Sequence, residues 1–208
     1  MTSSSGLWRH SRPLILASKS AGRRYVLEQA GIPLMVDPAR IDERAIESRI
    51  RGEGGGADAI AGRLAREKAA TVSMRRADHY VLGADQMASC DEIILGKPGD
   101  MESAARQLRF LAGKTHRLHS AVALARNREI LFSVVCHADL EMRSLGDEFV
   151  GAYLSIIGDL ALDSVGAYQI EGLGVQLFER IDGDHSTIIG LPILPVLAAL
   201  RREGAVLS

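Results

Sequence analysis

Short apolar runs alternate with stretches of helical periodicity along the chain, and each run ends on a polar residue or a turn. Leu14-Ile15-Leu16-Ala17-Ser18 reads as a strand delivering a serine. The stretch from Ser20 to Gly31 reads as a helix, with Ser20 as N-cap, Val26, Leu27 and Ala30 on its apolar side, and Gly31 as its stop. Leu34 to Val36 starts a second strand. From Pro38 to Gly56 charged residues and glycines dominate, which predicts a mobile surface loop, and Asp58 then caps a helix reaching about Arg76. Tyr80 to Ala84 forms another apolar strand, with Asp85 at its carboxyl end.

Further along, Met87 to Leu95 reads as a hairpin turning at Asp91-Glu92, followed by a helix from Met101 to Ala112. His116 to Ala125 and Glu129 to Met142 flank the turn Arg126-Asn127-Arg128 as a long hairpin. Asp147 to Ile156 is helical, Gln176 to Ile181 and Thr187 to Ile189 are strands, and Pro192 to Arg202 is a closing helix. The pattern is neither pure βαβ alternation nor all-β, so it predicts an α/β protein with a mixed, twisted sheet flanked by helices.

Composition narrows this picture. With 208 residues, 47% apolar and 25% charged, the chain can bury a full core as one domain or as two lobes around a cleft. Basic and acidic residues number 25 and 26, so no global field would hold it to nucleic acid or to an anionic membrane. Cys90 and Cys136 stand apart from any metal-binding cluster and read as reduced cytosolic thiols. The start, 1–13, is polar and carries no apolar run long enough for a signal or a span, so it is expected to be a loose leader.

Candidate chemistry sits at the strand ends. In open α/β sheets ligands bind outside the carboxyl ends of strands, so Ser18 and Asp85 can face one crevice. There is no Gly-x-x-x-x-Gly-Lys-Ser/Thr loop, and a phosphate site must be built otherwise. Ser18, Ser20, Arg23 and Arg24 at a helix start offer hydroxyls, amides and guanidinium groups, although the same residues also serve as an ordinary cap with solvated arginines. Asp85 with Glu43 can hold a hard divalent cation, the alternative being that Asp85 starts a turn and Glu43 is solvated. Lys68 and Lys97 are further phosphate candidates. The histidines show no metal-binding spacing and receive no catalytic role.

Several ordered segments resemble the Maf family of nucleotide pyrophosphatases. Leu14 to Ser20 with Arg23 looks like its opening Ser-x-Ser-Pro-x-Arg motif, Ile41-Asp42-Glu43 like its acidic motif, and Leu64 to Ala69 like its basic helix. Gly83-Ala84-Asp85-Gln86, Gly96-Lys97-Pro98, Leu111 to His116, Gly166-Ala167-Tyr168 and Ile189 to Pro192 continue the match in order. The resemblance implies a two-lobed fold with the site in a central cleft, similar to inosine triphosphatases, and often a homodimer. It also implies a cytoplasmic enzyme that cleaves a nucleoside triphosphate to monophosphate and pyrophosphate, by metal-assisted water attack on the α-phosphate with Mg²⁺ or Mn²⁺. Asp85 matches the family's catalytic acidic residue, Glu43 and Asp85 the metal site, and Ser18, Ser20, Arg23, Lys68 and Lys97 the triphosphate contacts.

Ala21 and Gly22 depart from that opening motif, where proline and a larger residue are usual. Gln86 and Glu171 replace the threonine and glutamine of the branch acting on dTTP and UTP, and resemble the branch acting on 7-methyl-GTP. A carboxylate accepts from guanine's two adjacent donors, whereas T and U alternate acceptors with a donor. Gln86 and Glu171 thus lean the expectation to 7-methyl-GTP, with dTTP or UTP as the alternative, against Gly22, which stands where the 7-methyl-GTP branch usually has tryptophan. A non-catalytic nucleotide-binding regulator of cell division is the rival from another class.

Overall fold

The computed structural model describes residues 6–208, and 1–5 of the expected leader lie outside the described residues. Its strands are β1 (Leu14–Leu16), β2 (Leu34–Val36), β3 (Val81–Cys90), β4 (Ile93–Leu95), β5 (Thr115–Arg126), β6 (Glu129–Met142) and β7 (Phe178–Asp182). Its helices are α1 (Ala21–Gln29), α2 (Glu43–Gly52), α3 (Ala57–Arg75), α4 (Met101–Leu111), α5 (Asp147–Ile157), α6 (His185–Ile189) and α7 (Ile193–Arg202). Six strands run in the order β2-β1-β3-β5-β6-β7, with β4 on β3, in one mixed sheet. The expected α/β class with a mixed sheet and flanking helices is thus observed.

The chain divides into two compact units. The first holds the chain up to Asp85 together with Ser120–Cys136 and Gly190–Ser208; the second holds Gln86–His119 and His137–Ile189. In the first unit β1 pairs in parallel with β2 and β3, and Leu14, Ile15 and Leu16 are fully buried. A strand covered on both faces has no polar side, which is why the run reads as continuous hydrophobics. In the second unit Leu108, Leu111, Leu118, Leu140 and Leu177 centre one large apolar cluster.

Local chemistry explains where the elements depart from expectation. Residues 38–56 are not one loop, because α2 occupies their second half. Asp42 accepts from the Ala45 N–H at 3.0 Å, Glu47 pairs with Arg51 at 2.7 Å, and Ile46 and Ile50 form the inward stripe of a short amphipathic helix. Charge density hid a periodicity of only two apolar residues. Asp58 does not cap α3, since the helix already begins at Ala57 with Gly56 in the cap position. Thr187 to Ile189 is helical rather than extended. The Asp184 carboxylate accepts from the Ser186 hydroxyl and from the Thr187 N–H at 3.0 Å, so a cap outweighs the strand preference of Thr-Ile-Ile. The leader is tied down where it is described: Trp8 bridges Val206, Arg9 N–H donates to Ala205 O at 2.9 Å, and Leu207 N–H donates to Leu7 O at 2.8 Å.

The hairpins at Asp91 and at Asn127-Arg128 form where expected, all three residues taking positive φ. Both cysteines are free thiols. Among the described residues no helix is long and apolar enough to cross a membrane.

One histidine carries a stability consequence. His116 is buried in the second unit, its Nε2 lies 2.6 Å from the Tyr168 hydroxyl, and its Nδ1 is buried without a partner. Burial pulls its pKa down to about 4 against an ordinary 6.5. The unfolded chain therefore binds this proton first. The resulting stability is fully present above pH 6.5 and is lost as pH falls toward 4, by about 3 kcal/mol in all. Urea unfolding at pH 7 and pH 4.5 should show His116→Gln losing less stability on acidification than the wild type; equal losses would remove His116 as the source.

Candidate active site

The first unit assembles a charged site around the carboxyl end of β1 and the first half of β3. Asp85 lies inside β3 rather than at its end, because the strand continues to Cys90. Gly83, two residues earlier, shares the same face of the strand. A side chain at Gly83 would strike the backbone of α3, meeting the carbonyl of Ala65 and, at 2.6 Å, the nitrogen of Ala69. Glycine against alanine lets helix and strand touch. That close approach carries Lys68, which lies on the buried stripe Leu64, Ala65, Lys68, Ala69, Val72 of α3, to within 2.6 Å of the Asp85 Oδ1.

Lys68 also pairs with Glu43 Oε1 at 3.0 Å, so one ammonium bridges two carboxylates. Asp85 and Lys68 are both buried, whereas Glu43, in the first turn of α2, is exposed. Burial raises the Asp85 pKa, against the lowering pull of Lys68 and Arg23. A carboxylate held this way is more basic than a solvated one.

Arg23 closes the site. Successive carbonyls of β3 facing β1 bond to its chain, Tyr80 O to Ile15 N–H and Leu82 O to Ala17 N–H, both at 2.9 Å. Where the chain leaves β1, the next carbonyl in that row, Ala84 O, accepts from Arg23 Nη1 at 2.8 Å. Nη1 also donates to Ser18 Oγ at 3.1 Å, and Nε donates to Gly190 O at 3.0 Å. Ser18 Oγ accepts as well from the Ser20 N–H, and Ser20 Oγ accepts from the Arg23 N–H, each at 3.3 Å, so Ser20 is the N-cap of α1 as expected. Burial lowers the Arg23 pKa while Asp85 and Glu43 pull it back up, and a guanidinium keeps its charge under such pressure.

Ser18, Ser20 and Arg23 are therefore joined by direct bonds, as are Glu43, Lys68 and Asp85, both sets lie within one unit, and Gly22 sits in the first turn of α1 beside Arg23. Gln86, Lys97 and Glu171 belong to the second unit. There the Gln86 side-chain amide donates to Thr187 O at 3.3 Å and Ile188 O at 2.9 Å, satisfying carbonyls of α6. Lys97 is exposed in the irregular segment between β4 and α4, and Glu171 is exposed in a turn. Sequence reasoning missed the carbonyls of Ala84 and Gly190, which leave no side-chain signature, and the packing role of Gly83. A lysine on an otherwise apolar helical stripe was a legible signal for Lys68.

The donor set suits a hard divalent cation. Lys68 engages one oxygen of each carboxylate, and the second oxygens of Asp85 and Glu43 are the type of ligand that Mg²⁺ or Mn²⁺ takes.

The site is thus a strand-borne carboxylate paired with a buried lysine, beside a serine-arginine helix start, in an α/β protein. The family model described as Maf-like protein matches residues 13–203, and the chain belongs to that family. It is 50% identical over 198 residues to a protein of Nitrobacter winogradskyi named nucleoside triphosphate pyrophosphatase, covering 95% of this chain and 96% of that one. It is 48% identical over 193 residues to a Rhizobium etli protein named 7-methyl-GTP pyrophosphatase, covering 93% and 97% respectively. A Brucella abortus protein of the same name is 50% identical over 190 residues, covering 91% and 96%. Among solved structures, the Staphylococcus aureus Ham1 protein aligns with 93% of this chain and 99% of its own, at 14% identity and a TM-score of 0.42.

Proposed function

We propose that this protein is a cytoplasmic nucleoside triphosphate pyrophosphatase that releases a nucleoside monophosphate and pyrophosphate, with 7-methyl-GTP as the favoured substrate. The observation that carries the reading is the Lys68 bridge between Asp85 and Glu43 beside the Ser18–Arg23 pair, which gathers carboxylates for water and cations for phosphate. The names of the relatives at about half identity support it.

In this reading Arg23 and Lys68, with the hydroxyls of Ser18 and Ser20, hold the triphosphate and offset charge that grows on the phosphoryl oxygens in the transition state. Asp85 is the general base: its raised pKa favours taking a proton from the attacking water, and the ammonium of Lys68 fixes its carboxylate in place. Asp85 and Glu43 would hold the metal, whose positive charge when bound neutralises phosphate and lowers the pKa of water. The bond from water oxygen to the α-phosphorus forms as the bond to the bridging oxygen breaks, and pyrophosphate leaves.

Glu171 and Gln86 carry the base preference. A carboxylate at Glu171 accepts from the guanine edge and favours a cationic 7-methylated ring. The deciding assay is pyrophosphate release with Mg²⁺ or Mn²⁺ from 7-methyl-GTP, GTP, dTTP, UTP and CTP. Selective release from 7-methyl-GTP is expected. Glu171→Gln should then lower the ratio of 7-methyl-GTP to UTP turnover by about tenfold, the scale of one charge-assisted hydrogen bond. An unchanged ratio would remove Glu171 from base reading, preference for dTTP or UTP would overturn the substrate assignment, and absence of release from every member would overturn the enzyme.

A further inference from the structure

We propose that Gly190 is a positioning residue for Arg23: its backbone carbonyl, together with that of Ala84, sets the plane of the guanidinium and leaves Nη2 as the edge offered to a phosphoryl oxygen. This rests on the reading above that Arg23 holds the triphosphate. An arginine has five N–H donors in a rigid fork. Three are committed within the first unit, Nε to Gly190 O at 3.0 Å and Nη1 to both Ala84 O at 2.8 Å and Ser18 Oγ at 3.1 Å. Among the described residues both Nη2 hydrogens remain without a partner. Three bonds from two edges fix a planar group in position and orientation, so the remaining donors are aimed before any ligand arrives.

The two carbonyls are themselves held. Ala84 sits within β3, and Gly190 is a buried residue followed by the fully buried Leu191 and by Pro192, the N-cap residue of α7. Gly190 has φ +98, a backbone conformation that a Cβ disfavours. Any residue that turns this peptide to negative φ also turns the carbonyl away from Arg23 Nε. The glycine thus acts on the site through its conformation, with no side chain present at all.

The test is a double-mutant cycle on the full chain, read as kcat/KM for pyrophosphate release. Gly190→Ala alone should lower it about 30-fold, within the range expected when a binding group is displaced by a fraction of an ångström to an ångström. In an Arg23→Lys background, where the fork no longer exists, the same change should cost less than about threefold. Equal factors in both backgrounds would show that Gly190 acts only through general stability, and would overturn the proposal. Gly190→Asn, which tolerates positive φ better than alanine and keeps the carbonyl, should recover most of the lost activity; no recovery would overturn it too.

A second readout does not depend on turnover. In the free protein the Arg23 Nε–H should give a cross-peak protected from solvent exchange near neutral pH, lost in Gly190→Ala while the backbone spectrum stays folded. An unprotected Nε–H in the wild type would overturn the contact whatever the activity. Conversely, a protected signal in a protein that cleaves no nucleotide would sink the functional reading and leave the positioning intact.

Discussion

Asp85→Asn is expected to lower pyrophosphate release by about three orders of magnitude while leaving the protein folded. The amide keeps the shape of the carboxylate and an oxygen for the Lys68 ammonium, which lies 2.6 Å away, so the packing of α3 on β3 survives. What disappears is the negative charge that the proposed mechanism uses to accept a proton and bind a cation. Burial makes this charge costly in the native state, as the raised pKa of Asp85 records, and a group retained against that cost is a functional candidate on physical grounds. Steady-state kinetics beside a melting curve make the check. Turnover within threefold of wild type would take Asp85 out of the mechanism, whereas loss of turnover with an unchanged melt is the expected pair of results.

Gly83→Val carries the largest expected effect on stability. The new side chain has no room, because the backbone of α3 at Ala65 and Ala69 already occupies the space where a Cβ would lie. Backbone cannot rotate aside as a flexible side chain can, so the helix must move off the strand. Overpacking of this kind costs about 3 kcal/mol or more, which in a chain of this size lowers the melting temperature by roughly 10 °C. The displacement also draws Lys68 away from Asp85, so activity at a temperature where the variant is still folded should fall as well. Calorimetry and kinetics on the same preparation test both parts. A variant that melts within 2 °C of wild type would show that α3 does not rest on Gly83 as closely as the structure has it.

The two predictions meet at one arrangement. Gly83 permits contact between helix and strand, Lys68 crosses that contact, and Asp85 and Glu43 share its charge. Arg23 is fixed separately by carbonyls of β3 and of the segment before α7. Each half of the site is anchored to an element whose position follows from apolar packing, so the polar groups need not hold themselves in place.

Much of this was written in local pattern. The runs at Leu14 and Tyr80 gave strands because continuous apolar residues bury on both faces, the run at Leu34 gave a strand that stays largely exposed, and Ser20, Gly31 and Asn127 marked a start, a stop and a turn through capping and positive φ. The ordered motifs fixed the family and singled out Ser18, Arg23, Glu43, Lys68 and Asp85. Local rules failed at α2 and α6, where a side-chain cap and two or three inward residues outweighed composition and propensity. They put Ser18 and Asp85 at one crevice and paired Asp85 with Glu43, but were silent on which bonds join residues distant in sequence. That one ammonium serves two carboxylates 25 and 17 residues away, that the carbonyl of Gly190 receives Arg23, and that Gly83 is empty so that α3 can approach are decided only by the tertiary structure. The physical reason is that caps and periodicities are interactions within a few residues, readable from side-chain type, whereas backbone acceptors look alike at every position and close packing depends on which surfaces the fold brings together.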